Sequence, residues 1–278
     1  MSRVVIFHGH CDDGFGAAWA AWRALGDTDT RYVPAFYGNA PPEVGSEDEV
    51  FVLDFSYPRD VLLALRARCA SLRVLDHHRS AQEDLAGLEW ATFDLDKSGA
   101  MLAWEHWHPG VEPPPMIQYI QDRDLWRFRL PLSREVSAWL RSYPMEFRQW
   151  IRLADDLKYE FLEAAQSGEA ILRFQVAQVE VMCQQAIWLD LSGHRVPVVN
   201  ATAFFSEVGE RLLELHPDAT FACYYLDRAD GRRQWGLRSR PGFDVSAVAK
   251  EFGGGGHPQA AGFTKPAPWP VMTREGFQ

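Results

Sequence analysis

The chain has 278 residues, 47% hydrophobic and 24% charged, a balance that excludes disordered and fibrous classes and leaves room for two domains. Lys and Arg number 28 against 38 Asp and Glu, a formal charge of -10, so no broad basic face for long nucleic acid is expected. A phosphate-bearing ligand must then be met locally, by backbone NH groups, a few Arg or bound cations.

Taken in chain order, Val4 to Phe7 is a β-branched run that stops at His8, and Phe15 to Leu25 has helical texture. Val50 to Leu53 predicts a second strand ending at Asp54, with a helix from Arg59 to Arg68 after Pro58. Leu72 to Leu75 predicts a third, ending at Asp76. Strands separated by helices point to a parallel α/β sheet, whose ligands gather at the carboxyl ends where His8, Asp54 and Asp76 fall. A helix is expected at Met116 to Gln121, and a long connecting helix or a broken pair over Asp155 to Leu189. Strands follow at Val196 to Val199, Phe221 to Leu226 and Gln234 to Arg238, the last two joined by a turn at Arg228 to Gly231. The expected fold is thus α/β: a parallel-sheet domain over residues 1–155, a helical connector over 156–190 and a smaller α/β domain over 191–278.

Cys11, Cys69, Cys183 and Cys223 are scattered, without CxxC spacing or disulfide density. No leader-like start and no run of about 18 apolar residues appears, so a cytoplasmic protein without membrane attachment is expected.

Chemistry concentrates in a few clusters. His8-Gly9-His10-Cys11-Asp12-Asp13-Gly14 puts imidazoles, a thiol and carboxylates on one loop, a donor set for a cation or, in the bland reading, a polar turn with a helix cap. Asp54 alone reads more readily as a helix cap or turn former than as a ligand. In Asp76-His77-His78, adjacent side chains point apart, so one imidazole can ligate while the other faces substrate. Gly253 to Gly256 lets backbone approach a phosphate closely.

Together these motifs resemble the DHH phosphoesterase superfamily, named for the triplet present here as Asp76-His77-His78, and its members with a C-terminal DHHA1 domain. The matching segments also include Asp94 to Ala100, Asp122-Arg123-Asp124-Leu125-Trp126 and Gly253 to Gly262, the last the most specific. The resemblance implies a catalytic domain with two divalent cations, usually Mn2+. It implies that Asp54 bridges both ions, with His8 and a first-loop carboxylate on one, and Asp13, His77 and Asp122 on the other. Asp76 would brace the His77 side chain, and His78 would contact the scissile phosphate or assist the leaving oxygen. Asp122 is preferred to Asp124 because Trp126 then takes the family's aromatic position. The first loop departs from the family's form, His, three residues, Asp, one residue, Asp. Either Asp12 or Cys11 must complete the first metal site, and Asp12 is favoured because oxygen suits Mn2+. Substrate contacts would come from Arg238, Ser239, Gly254, Gly255, Gly256, His257 and Ser98.

The implied activity is hydrolysis of short oligoribonucleotides or linear dinucleotides to mononucleotides by a hydroxide activated between two metals. The partners expected are short RNA or a dinucleotide, with no long nucleic acid and no membrane; a homodimer is compatible. The rivals are a cyclic dinucleotide phosphodiesterase, an adenosine bisphosphate phosphatase and a non-catalytic nucleotide sensor, the last favoured only by the irregular first loop.

Overall fold

The computed structural model describes residues 2–267, so residues 268–278 of the expected C-terminal domain lie outside the described residues. Contacts divide the chain into two units, Met1–Leu172 and Arg173–Gln278.

The first unit alternates strand and helix: β1 (Arg3–His8), α1 (Asp12–Leu25), β2 (Thr30–Ala35), β3 (Glu49–Leu53), α2 (Arg59–Arg66), β4 (Ser71–Asp76), α3 (Arg79–Asp84), β5 (Ala91–Phe93) and α4 (Gly99–Trp107). The strands form one parallel sheet in the order β2-β1-β3-β4-β5. Alternation along β1 explains why both faces are covered. Val5 and Phe7 enter one apolar core with α1 and α4, whereas Val4 and Ile6 enter the other with Leu62 and Leu65 of α2. The small residues of α1 allow close helix packing: a Cβ on Gly16 would lie 2.9 Å from that of Ala100. Strands β2 and β5 carry no clear apolar signal, since β2 is a half-buried edge containing Pro34 and β5 has three residues.

Helices complete this unit: α5 (Pro115–Asp124), α6 (Ser133–Leu140), α7 (Phe147–Tyr159) and the start of α8 (Phe161–Cys183). Helix α5 opens on Pro115, whose missing NH costs nothing at a helix start, and runs past the expected end at Gln121 through both Asp122 and Asp124. The connector is a broken pair, interrupted at Glu160, where φ is -128°. Helix α8 lies tightly on α6 at Gly168, where a Cβ would sit 1.9 Å from the Glu135 carbonyl oxygen.

The second unit contains the end of α8, then β6 (Ile187–Leu191), β7 (His194–Asn200), α9 (Phe205–Leu215), β8 (Phe221–Asp227), β9 (Arg232–Ser239), α10 (Val245–Glu251), β10 (Gly255–His257) and β11 (Ala260–Pro266). Its sheet runs β10-β11-β9-β8-β7-β6, antiparallel except for the β7/β8 pair joined through α9. The sequence predicts helical texture up to Leu189, yet Ile187 to Leu191 pairs with β7. The Ser192-Gly193 connection, with φ of 50° and 78°, is a two-residue hairpin turn that fixes the register. The β8/β9 hairpin closes through Arg228 to Gly231, with the Arg228 amide donating to the Arg232 carbonyl.

Candidate metal centre

Strand order reverses between β1 and β3, the switch point of the sheet, and ligands of such sheets gather at the carboxyl ends there. His8 is the last residue of β1, Asp54 directly follows β3, and Asp76 closes β4. The Asp54 backbone is left-handed, with φ of 52°, a conformation that Asp tolerates better than most residues and that occurs at sites where a side chain must be aimed. Its amide donates to the Leu75 carbonyl. Gly99 makes room for it: a Cβ there would lie 2.4 Å from the Asp54 Cβ.

Around Asp54 the donors converge. His77 Nε2 lies 3.1 Å from Asp54 Oδ1, 3.5 Å from Asp124 Oδ2 and 3.6 Å from Asp13 Oδ2. His8 Nδ1 lies 3.5 Å from Asp54 Oδ2. Three groups of donor atoms, each within 4.8 Å of one another, share Asp54: His8, Cys11 and Asp54; Asp13, Asp54 and His77; and Asp54, Asp76 and His78, the last already tied together by the Asp76–His78 hydrogen bond. The charge balance of this pocket favours a cation. Burial and the neighbouring Asp54 and Asp124 carboxylates push Asp13 well above its usual range. Burial opposes ionisation of Asp54 as well, but hydrogen bonds from His77 and His8 hold it well below. Burial works against a charged His77, yet the Asp54 hydrogen bond and the Asp124 and Asp13 charges raise it to about 11. One imidazole nitrogen facing three carboxylates carries one proton at most, so mixed oxygen and nitrogen donors here fit divalent ions.

Asp13 has a second task. Its carboxylate accepts the Gly99 and Ala100 amides at 2.6 and 2.9 Å, at the N-terminus of α4. Ser98, expected to touch substrate, is instead fully buried, its Oγ accepting the Met101 amide as the cap of α4. Asp94 and Asp96 lie apart, Asp94 pairing with Lys97.

Asp76 braces the other histidine of the triplet. Its Oδ1 accepts from His78 Nδ1 at 2.7 Å and from the His77 amide at 2.7 Å, while Ser56 donates to Oδ2 at 2.6 Å. It therefore holds the His78 ring, and only the backbone of His77. Burial disfavours charge on both, but their pairing lowers Asp76 and raises His78. An ionised Asp76 that only accepts requires the proton on His78 Nδ1.

Two expected ligands are displaced. Asp122 accepts the Arg129 and Leu130 amides at 2.9 and 3.0 Å, so both its oxygens organise the chain after α5. Asp124, on the opposite side of the same helix, reaches His77 instead. Asp12, the first residue of α1, is drawn to Arg141 at 3.5 Å, whereas Cys11, one residue earlier, stands with His8 and Asp54. Burial and the Asp54, Asp124 and Asp13 charges push the Cys11 thiol well up. Tyr37 is a residue that the sequence motifs do not single out. Half-exposed in the turn after β2, it stands edge-on to His8 and His78, with ring centroids 5.5 and 6.5 Å away. An aromatic residue just past a strand's carboxyl end is its one signal in the sequence.

In the second unit, Arg238 is held rather than free. Its guanidinium donates to Ser206 Oγ and the Leu237 carbonyl, both at 2.9 Å, and lies over the Tyr224 ring at 5.6 Å. Its stem crosses α9 at Gly209, where a Cβ would approach it to 2.4 Å. Ser239, expected at the substrate, is buried and donates to the Phe243 carbonyl at 2.7 Å. The glycine run is sheet and turn: Gly255 to His257 pairs with β11, and a Cβ on Gly254 would lie 2.0 Å from the Gly262 carbonyl oxygen. Its glycines are thus explained by close backbone packing as well as by ligand approach.

A parallel sheet whose switch point gathers imidazoles and carboxylates, followed by a smaller mixed-sheet unit, defines a two-unit α/β protein with a donor set for divalent cations. Residues 207–269 match the DHHA1 domain. That match lies within the second unit, and the Asp76-His77-His78 triplet of the first, with its surroundings, resembles that of DHH phosphoesterases. It is 29% identical over 283 residues to the uncharacterized protein R106 of Acanthamoeba polyphaga mimivirus, across 93% of this chain. The chain spans 66% of that relative's length. Among solved structures it is similar to the pGpG-specific phosphodiesterase PggH from Vibrio cholerae, at 12% identity and a TM-score of 0.47, covering 96% of this chain and 94% of that one. It is also similar to RecJ in complex with Mn2+ from Thermus thermophilus, at 18% identity and a TM-score of 0.48, covering 94% and 49%. Among the described residues no helix is long and apolar enough to cross a membrane.

Proposed function

We propose that this protein is a divalent-metal-dependent phosphodiesterase that cleaves short oligoribonucleotides or linear dinucleotides to mononucleotides. The observation that carries this reading is that the His8/Cys11 donor group and the Asp13/His77 donor group share Asp54, which suits two neighbouring cations with a common ligand. His8 and Asp54 would hold one ion, and Asp13, Asp54, His77 and Asp124 the other. Divalent ions bound there would supply Lewis-acid screening of the phosphate and acidify water at neutral pH.

The protein's own groups do the rest. Asp54, aimed by its left-handed backbone, fixes the spacing of the two sites. Asp13 ties them to α4 through two amides, so the centre is rigid before substrate arrives. Asp76 fixes the His78 ring with the proton on Nδ1, which leaves Nε2 to hold the proton that goes to the leaving oxygen. Burial disfavours the charged ring, but the Asp76 carboxylate raises the pKa of His78, which favours retention of that proton. Arg238, preset by Ser206 and Gly209, would take a terminal phosphate, and Tyr37 offers a base a stacking face beside the centre. A charge of -10 favours a small substrate met by local contacts over a long polyanion.

The test is hydrolysis of 5′-phosphorylated RNAs of two to about ten nucleotides, with cyclic dinucleotides alongside, in Mn2+, Mg2+ or chelator. Turnover confined to the shortest linear substrates and abolished by chelator is expected. Preference for cyclic substrates, or for the longest RNAs, would overturn the substrate assignment.

A further inference from the structure

We propose that Cys11 is a sulfur ligand of this centre, forming with His8 and Asp54 a site that prefers a borderline divalent ion such as zinc or cobalt over magnesium. The inference rests on the metal-centre reading above and adds the identity of one donor and its consequence for ion choice.

Three features of the chain converge on it. The Cys11 donor atom lies within 4.8 Å of donor atoms of both His8 and Asp54, in a group that shares Asp54 with the second one. The carboxylates that could have replaced it are committed elsewhere. Asp12 faces Arg141, and Asp13 stands with Asp54 and His77 in the second group. Finally, Cys11 occupies the N-cap of α1, with φ of -128° and ψ of 133°, where Ser, Thr, Asp or Asn would serve the helix better because oxygen accepts the amide hydrogen more strongly than sulfur. A thiol at this position is therefore poorly explained by the helix and well explained by a ligand.

The other cysteines differ. Cys69 and Cys183 point their thiols at backbone carbonyls, and Cys223 is buried in the apolar core of the second unit. Only Cys11 stands beside both imidazole and carboxylate donors. Thiolate is a soft ligand that binds zinc and cobalt well and magnesium poorly. One position of the centre would thus be selective, while the Asp13, Asp54 and His77 position keeps oxygen-rich donors suited to Mn2+ or Mg2+.

The experiment is cobalt titration of the chelator-treated full chain, read in the near ultraviolet for thiolate-to-metal charge transfer, with ion stoichiometry measured in parallel. The proposal expects a sulfur band in the native protein and in Cys69→Ser, and loss of that band in Cys11→Ser. Cys11→Asp should bind as many ions as the native chain, lack the band, and bind Mg2+ more tightly relative to Zn2+. Equal thermal unfolding temperatures in chelator would show that these variants are folded. Full cobalt binding without any sulfur band would overturn the role of Cys11 and leave the metal centre standing. A native chain that binds no cobalt, manganese or zinc would overturn the centre itself, and Cys11 with it.

Discussion

The strand ends of the first unit and the β9 arm of the second follow opposite electrostatic plans. At the strand ends, carboxylates of Asp13, Asp54 and Asp124 crowd one imidazole, and their mutual repulsion would be relieved by a bound cation. On β9, the Arg238 guanidinium is fixed by a hydroxyl, a carbonyl and an aromatic face, with a glycine that makes way for its stem. On the proposed reading the first arrangement is completed by an ion, whereas the second is held together by protein groups alone. Removing a residue from the first should therefore alter metal content, and removing Arg238 should alter substrate affinity alone.

The largest effect is expected at the shared carboxylate. Asp54→Ala should lower hydrolysis by about a hundredfold or more and empty both ion positions, as expected for loss of a charge-stabilising element. Circular dichroism should show the fold retained. More than about a tenth of native activity with full metal content would remove Asp54 from the centre.

Next comes a contrast within one helix. Asp124→Asn should lose metal affinity and turnover while thermal stability stays near native. Asp122→Ala should leave two amides without their acceptor and destabilise by about 1–3 kcal/mol, with activity per folded molecule retained. The opposite pattern would restore Asp122 as the ligand.

For Arg238→Ala a rise in KM of about ten to a hundredfold is expected, matching loss of a charged hydrogen bond, with metal content unchanged. Parallel loss of metal would contradict the separation of tasks.

The smallest effect concerns pH. His78 is raised, so the stability it gains from Asp76 is complete below the ordinary histidine value and is lost as pH rises through the raised one. Asp76 is lowered, so its share is present above the ordinary carboxylate range and is lost as pH falls through the depressed value. The difference in unfolding free energy between native protein and His78→Gln should therefore be greatest between those limits and shrink on both sides. A pH-independent difference would show that the pair is not an ion pair.

The sheet and the centre's position were legible in the sequence because short apolar strands stop at His8, Asp54 and Asp76, and such ends share one edge of a parallel sheet. The finer assignments depended on where helices begin and end. Helix α5 continues through Asp124, and residues two apart on a helix differ by about 200°, so Asp122 and Asp124 cannot face the same way. Nothing in their flanking residues marks which one turns inward. Helix α1 starts at Asp12, which leaves Cys11 at the strand-side turn; donor chemistry alone pointed to the carboxylate. Ser98 and Ser239 carried functional-looking motifs, but their hydroxyls satisfy backbone groups inside the fold, a demand that depends on burial. Strand β6 was hidden in helical composition because its pairing with β7, not its own propensity, decides its conformation.

The central claim is that Asp54 is shared between two cation positions. Its most direct test is the number of Mn2+ ions bound per chain, measured by equilibrium dialysis on native protein, Asp54→Asn and Asp124→Asn. The account predicts about two ions for the native chain, loss at both positions in Asp54→Asn, and weakening of one position in Asp124→Asn. Undiminished binding in Asp54→Asn would contradict it.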